Sequence, residues 1–299
     1  MTIAEMFQNP FIARIIVKAL IVGVLVSLCA SLLGVSLVLK RLSMIGDGLS
    51  HVGFGALAIA TVLDLGDYSM EVSIPIVIAA AFFLLKLGES TRLKGDAAIA
   101  LFSTGAIAVG SLIYNYSGSR NTDICNSLFG SASIITLGDK DLILSVVLSV
   151  IVLAFFVVFY NKIFAITFDE GFSKATGIRA ELMKLLIAVL TAVTIVLGMK
   201  MMGAIMISAL IIFPALSSMR VCRSFRSVVI CSAVVSVVCF VIGFLAACRL
   251  SYQTGATVAT VNLIAFLLMA LAGAVINSQK GRELLGRLKA RLTNNTSEA

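Results

Sequence analysis

The feature that most constrains the fold is a series of long apolar segments joined by short polar ones. About 20 apolar residues in a helix cross the ~30 Å hydrocarbon core of a bilayer. Because the break between the sixth and seventh segments is short, those two could also form one bent span. The sequence therefore predicts an all-α polytopic membrane protein with about eight to nine transmembrane helices. The predicted spans are 14–38, 43–63, 70–87, 97–115, 142–160, 183–199, 201–218, 226–247 and 256–277.

Composition and charge support this prediction. Hydrophobic residues make up 60% of the chain and charged residues 13%, against roughly 45–50% and 25% in soluble domains. Lys and Arg are concentrated in alternate loops and in the tail, so the net charge of +8 indicates contact with the lipid bilayer and not with nucleic acid. Nine spans with the C-terminus inside place the N-terminus outside. We expect a transmembrane domain at 1–280 and a basic cytoplasmic tail at 281–299.

One predicted span carries an acid and the only histidine of the chain. In MIGDGLSHVGFGALAIA, residues 44–60, Asp47 and His51 are four residues apart and so share one helix face. At a rise of about 1.5 Å per residue, His51 lies near the middle of the hydrocarbon core. An ionisable side chain at that depth costs at least ~2.5–3.5 kcal/mol unless it faces protein or water. The pair therefore predicts a shared polar cavity within the membrane.

The spacing of Asp47 and His51 is compatible with three roles. An imidazole nitrogen and a carboxylate oxygen suit Zn²⁺, Mn²⁺ or Fe²⁺, which makes the pair a candidate metal site. The two groups could instead only satisfy each other by hydrogen bonding in a packed bundle. They could also relay protons, because histidine titrates near neutral pH.

The longest predicted cytoplasmic connection, 161–184, has an amphipathic pattern. Phe168, Phe172 and Ala175 recur at helical spacing beside charged residues, which predicts a short helix that ends at Gly177. Such a helix would lie on the membrane surface or bind a cytoplasmic partner.

Two other segments depart from a simple alternation of spans and loops. Residues 120–140 are polar at both ends and apolar in the middle, which predicts a short helix or a re-entrant piece. Pro214 falls inside a predicted span and should kink it, which makes it a candidate gating bend.

Sequence signatures of familiar enzymes are missing. The chain has no GxxxxGK[ST] motif for ATP and neither GxSxG nor HExxH for hydrolysis. Its six cysteines form no CxxC pair, and a single histidine cannot complete a zinc finger. The sequence therefore favours a transport subunit over an enzyme.

Five stretches, in order over about 250 residues, carry a family resemblance: KRLSMIGDGLSHVGFGALAIA, RLKGDAAIAL, NSLFGSASIIT, TFDEGFSKATGI and MKMMGAIMISALIIFPALSSMRVCRSFRSV. They resemble permeases of ABC-type importers for zinc, manganese or iron. In order, they are similar to the signature helix with Asp-x-x-x-His, the entry to the fourth span, an outer LFG element, the segment that docks on the ATPase, and the C-terminal third.

This resemblance implies a bundle like that of type II ABC importers in a bacterial plasma membrane. The implied partners are a second copy of the chain, cytoplasmic ABC ATPase subunits that hydrolyse ATP, and an extracytoplasmic metal-binding protein. Asp47 and His51 would contact the metal, which is the transported cargo, and no cofactor would be bound permanently. The implied residues for coupling to the ATPase are Asp169, Glu170, Gly171, Phe172, Ala175 and Gly177.

The metal is ranked by one departure from the family pattern. Many manganese-type members carry a proline shortly after the histidine, whereas residues 52–55 here read VGFG. The chain thus looks more like the zinc branch, with manganese and iron as alternatives. An alternative class is a proton-coupled secondary metal transporter that uses Asp47 and His51.

Overall fold

The computed structural model describes residues 10–40, 42–63, 69–88, 95–116, 128, 130, 139–250 and 252–277. Within these ranges the chain forms eleven helices and no strand, so the predicted all-α fold is confirmed. The helices are α1 (Pro10–Leu39), α2 (Ser43–Val62), α3 (Ser69–Gly88), α4 (Gly95–Tyr116), α5 (Asp139–Val158), α6 (Tyr160–Phe168), α7 (Glu170–Ala175), α8 (Ala180–Met202), α9 (Ala204–Val221), α10 (Phe225–Leu250) and α11 (Thr254–Asn277).

Most of the predicted spans correspond to helices that can cross a membrane. Seven helices are long and apolar enough: α1, α2, α4, α8, α9, α10 and α11. Helices α5 and α6 meet at a bend of 71° and together form an eighth candidate. The predicted span 70–87 lies in α3, which carries Glu71 in its first turn and Lys86 in its last.

The predicted short helix that ends at Gly177 is α7, but Phe168, predicted as part of it, lies in the preceding helix α6. Helix α6 ends at Phe168, and α7 begins after Asp169, whose backbone is extended (φ −144°, ψ 101°). The Phe172 backbone N–H donates to Asp169 Oδ1 at 2.8 Å. A carboxylate that caps the first turn in this way starts a new helix. Gly177 ends the segment as predicted, with φ +81°.

Helix α2 buries much of its surface against neighbouring helices and leaves one stripe exposed. It packs against α3, α4, α8 and α9, while α1 packs against α5, α8, α9 and α10. Glycines allow the close approaches: a Cβ on Gly34 of α1 would clash with the backbone carbonyl of Ile211, and one on Gly48 of α2 would lie 2.9 Å from Ile99. The helix that carries Asp47 and His51 thus contacts α1 as well as these four helices.

The turn between α8 and α9 consists of one residue, Gly203, so the two predicted spans are separate helices. Its φ of +84° and ψ of 157° lie in a region that essentially only glycine adopts. A Cβ there would lie 2.5 Å from the Leu128 carbonyl oxygen and 2.6 Å from the Gly130 nitrogen. This turn therefore packs directly against the backbone of Leu128 and Gly130.

We expect Gly203→Ala to lower stability by at least about 2 kcal/mol, since it adds a steric clash to a strained backbone. Thermal unfolding in detergent measures the effect. Gly177 has a positive φ, but a Cβ added there would meet no neighbour in the described part of the chain. Gly105 in α4 has no positive φ, and a Cβ added there would also meet no such neighbour. Gly177→Ala should therefore cost about 1 kcal/mol and Gly105→Ala none. Equal unfolding temperatures for the three variants would contradict this assignment.

Two sequence predictions fall largely on residues that the structure does not describe. Within 120–140 only Leu128, Gly130, Asp139 and Lys140 are described, so the predicted helix or re-entrant piece lies outside the described residues. The predicted basic tail at 281–299 also lies outside them.

Candidate metal site

The structure brings Asp47 and His51 together on α2. His51 Nε2 lies 3.5 Å from Asp47 Oδ2, and the two side chains are 16% and 37% exposed. This distance exceeds the 2.7–3.2 Å typical of a hydrogen bond from nitrogen to oxygen. Two ligands on one tetrahedral zinc, each at about 2.0–2.1 Å from the ion, are separated by about 3.3 Å. A distance of 3.5 Å is compatible both with two ligands of one ion and with a loose ion pair between the two side chains.

The imidazole of His51 is poorly satisfied. Its Nδ1 atom is buried and has no hydrogen-bond partner among the residues that the structure describes. A buried donor or acceptor without a partner costs about 1–3 kcal/mol. Whichever role Nε2 has beside Asp47, Nδ1 is therefore open to water or to a group from another chain.

One chain supplies an incomplete set of ligands. In the described part of the chain no group of three or more His, Cys, Asp or Glu side chains could hold an ion. Two protein ligands leave open positions for water or for groups from another chain. Such a site suits brief binding better than permanent retention.

Two serines, neither of them predicted as part of the site, hold Asp47. Ser50 Oγ donates to the Asp47 carbonyl oxygen at 2.7 Å and lies 2.7 Å from Ser208 Oγ on α9. Ser208 therefore connects to Asp47 through Ser50. Ser208 lies in an apolar stretch far from Asp47 in sequence, so no spacing pattern could have indicated it.

We expect Ser208→Ala to weaken metal binding about 10-fold, because groups that orient a metal ligand typically contribute 10–100-fold to affinity. Ser208→Thr keeps the hydroxyl and should therefore retain most of the wild-type affinity for the metal. Competition of the purified protein with a fluorescent zinc chelator measures the affinity. Wild-type affinity in Ser208→Ala would show that this hydroxyl does not position Asp47.

The face of α2 that carries the pair is only partly covered by the described part of the chain. Partly or fully exposed residues recur every three or four positions along α2: Met44, Asp47, His51, Gly55, Ile59 and Val62. A carboxylate in contact with lipid is costly. This stripe must therefore meet water or other protein within the membrane.

The predicted coupling segment separates into outer and inner surfaces. Phe168, Phe172 and Ala175 are exposed, whereas Ser173 is buried and Glu170 faces lysines of neighbouring helices. Gly171 is also exposed; Asp169 caps α7 and Gly177 ends the segment, as described above. The outer surface can therefore dock a partner, and the inner surface attaches α7 to the bundle.

Pro214 is buried within α9, a continuous helix. Its ring nitrogen cannot donate to the carbonyl of Leu210 one turn earlier, which weakens the helix at that point. Its role as a gating bend stays a prediction.

Comparison with family models identifies the family of this chain. The family model described as the ABC 3 transport family matches residues 13–273. The chain belongs to this family. Its apolar helices and this membership together establish a multi-pass membrane protein.

Relatives in the ABC 3 transport family carry names for different metals. The high-affinity zinc uptake system membrane protein ZnuB of Haemophilus influenzae is 27% identical over 85% of this chain and 95% of its own. The chelated iron transport system membrane protein YfeD of Yersinia pestis is 28% identical over 99% and 96%. The manganese transport system membrane protein MntC of Listeria monocytogenes is 23% identical over 84% and 88%. These identities do not separate the three metals.

A solved structure shares the fold. PsaBC from Streptococcus pneumoniae in complex with Fab matches with a TM-score of 0.78 at 23% identity, over 96% of this chain and 100% of the matched chain. The fold described above is therefore shared with this solved structure.

Proposed function

We propose that this chain is the permease subunit of an ATP-driven importer of a divalent transition metal, with zinc as the first-ranked cargo. The observation that carries the proposal is the pair on α2: a carboxylate and an underused imidazole, 3.5 Å apart, within a membrane-spanning helix. Relatives named for zinc, manganese and iron support the class of cargo. Zinc ranks first because residues 52–55, directly after His51, contain no proline.

The geometry suggests how the ion would be handled. Asp47 and His51 hold the ion with only two ligands from one chain, so it exchanges readily with water or with the next site. A second copy of the chain would cover the exposed stripe of α2 and shield Asp47 from lipid. The ion is cargo, and the permease needs no permanently bound cofactor.

Energy would come from partner chains. The outer surface of the coupling segment, with Phe168 and Phe172 exposed, offers an apolar docking site for a cytoplasmic ABC ATPase. An extracytoplasmic metal-binding protein would deliver the ion to the opposite end of the bundle. A proton-coupled secondary transporter is the alternative, and it would need no ATPase.

Reconstitution tests the proposal. The permease is expressed with the ABC ATPase from its own genome, purified, placed in liposomes, and supplied separately with Zn²⁺, Mn²⁺ and Fe²⁺. We expect stable co-purification and ATP-dependent uptake that prefers zinc. Uptake that persists without the ATPase and stops with a protonophore would favour the secondary transporter. A preference for manganese or iron would overturn the ranking of zinc alone.

A further inference from the structure

Glu170, the first residue of α7, lies at the centre of a cluster of lysines. Its Oε2 atom is 2.6 Å from Lys184 Nζ and 4.0 Å from Lys40 Nζ, and its Oε1 atom is 3.1 Å from Lys174 Nζ. Lys174 belongs to α7 itself, whereas Lys184 belongs to α8 and Lys40 directly follows α1. One carboxylate thus joins three parts of the chain.

The cluster differs from an ordinary ion pair on the surface. The side chains of Lys40 and Lys184 are only 12% and 11% exposed, and that of Glu170 is 34% exposed. Exposed pairs contribute little to stability, but removing one partner of a buried pair leaves an uncompensated charge and is costly. Without Glu170, two largely buried ammonium groups that approach the same oxygen would repel each other.

Glu170 is ionised under physiological conditions. Burial raises the pKa of its carboxyl group, but hydrogen bonds from Lys184 and Lys174, with the charges of Lys184 and Lys40, bring the pKa below its ordinary value. Because the pKa is lowered, the ion pairs are fully formed at any pH above the ordinary pKa of glutamate. They weaken only as the pH falls through the lowered pKa. The cluster therefore stays intact at neutral pH.

The lysines connect Glu170 to the candidate metal site. Lys40 lies in the turn between α1 and α2, seven residues before Asp47. Lys184 lies near the start of α8, and Met199 near its end packs against Gly53 of α2, where an added Cβ would lie 2.6 Å from Met199 Cε. Both paths from Glu170 lead to the helix that carries Asp47 and His51.

We infer that Glu170 is a positioning residue that links the coupling segment to the metal-site helix, and that it is not a contact for the ATPase. This inference rests on the proposed function. The outer surface of α7 binds the partner, and Glu170 on the inner surface pulls the α1–α2 turn and α8 along when the partner moves α7. The metal ligands on α2 then shift with the state of the ATPase.

The test is the number of metal ions transported per ATP in liposomes that contain the permease and its ATPase. In Glu170→Gln we expect the complex to co-purify and ATP hydrolysis to stay within about twofold of wild type. Ions transported per ATP should fall at least tenfold. The matched control is Glu181→Gln, which also removes a carboxylate bonded to Lys174, at 3.5 Å, but from an exposed position. It should transport as wild type does.

A charge exchange separates linkage from folding. In the double variant Glu170→Lys with Lys184→Glu, opposite charges return to the 170–184 contact but not to the contacts with Lys40 and Lys174, and we expect part of the lost transport per ATP to return. If Glu170→Gln does not accumulate in the membrane, the double variant provides the test instead. A double variant that accumulates normally but transports no more metal per ATP would overturn the inference.

Two other results would also overturn it. One is wild-type coupling in Glu170→Gln; the other is loss of the ATPase from this variant during purification, which would make Glu170 a docking contact. The proposed function fails separately, if the wild-type permease neither retains an ATPase nor transports metal with ATP.

Discussion

Asp47→Asn and His51→Gln are each expected to abolish metal uptake at limiting metal concentration and to weaken metal binding at least about 100-fold. Loss of an orienting group typically costs 10–100-fold in affinity, and loss of one of only two protein ligands should cost more. Both substitutions nearly keep the size of the side chain, so packing of α2 is preserved. Radioactive zinc uptake and chelator competition on the purified protein measure the two effects.

The matched control for Asp47→Asn is Glu71→Gln, which removes an exposed carboxylate from the first turn of α3. This variant should bind and transport metal as wild type does. Unfolding temperatures of all three variants should agree within a few degrees. If His51→Gln transports zinc at the wild-type rate, the pair on α2 is not the metal site.

Phe172→Ala is expected to weaken binding of the ATPase about 30-fold or more, and to reduce ATP-dependent uptake accordingly. Exposed aromatic side chains that fill a pocket of a partner commonly contribute about 2 kcal/mol or more. Phe168 is equally exposed, but its ring also packs against Phe164 and Phe225, so Phe172 gives the cleaner test. Co-purification and titration of the permease with labelled ATPase measure the affinity.

Tyr252→Ala provides the control for this prediction. Tyr252 is an exposed aromatic residue between α10 and α11, on the side opposite to the coupling segment in the predicted topology. Its replacement should leave ATPase binding unchanged. Equal binding by both variants would show that α7 is not the docking helix.

Hydropathy predicted the helices well because each one must present about 20 apolar residues to lipid. This property is local, and the sequence displays it directly. Asp47 and His51 were also visible, since polar residues stand out in an apolar run and their spacing of four fixes their relative positions on a helix. The structure adds the distance between them and the unsatisfied Nδ1 of His51.

The missed features depend on contacts between distant parts of the chain or on local capping. Ser208 connects to Asp47, through Ser50, only because α9 packs on α2. Lys40 meets Glu170 only because the start of α7 lies close to the end of α1. The division of 161–184 depends on whether Asp169 continues one helix or caps the next. The pattern of apolar residues is the same whether Asp169 lies inside one longer helix or caps a second helix. Apolar periodicity therefore cannot distinguish these two outcomes.

X-ray absorption at the zinc edge, on the purified wild-type permease loaded with zinc and on His51→Gln, tests the central claim most directly. A site built from Asp47 and His51 predicts nitrogen and oxygen neighbours, with imidazole scattering that disappears in His51→Gln. Sulfur neighbours from the cysteines, or identical spectra for the two proteins, would contradict it.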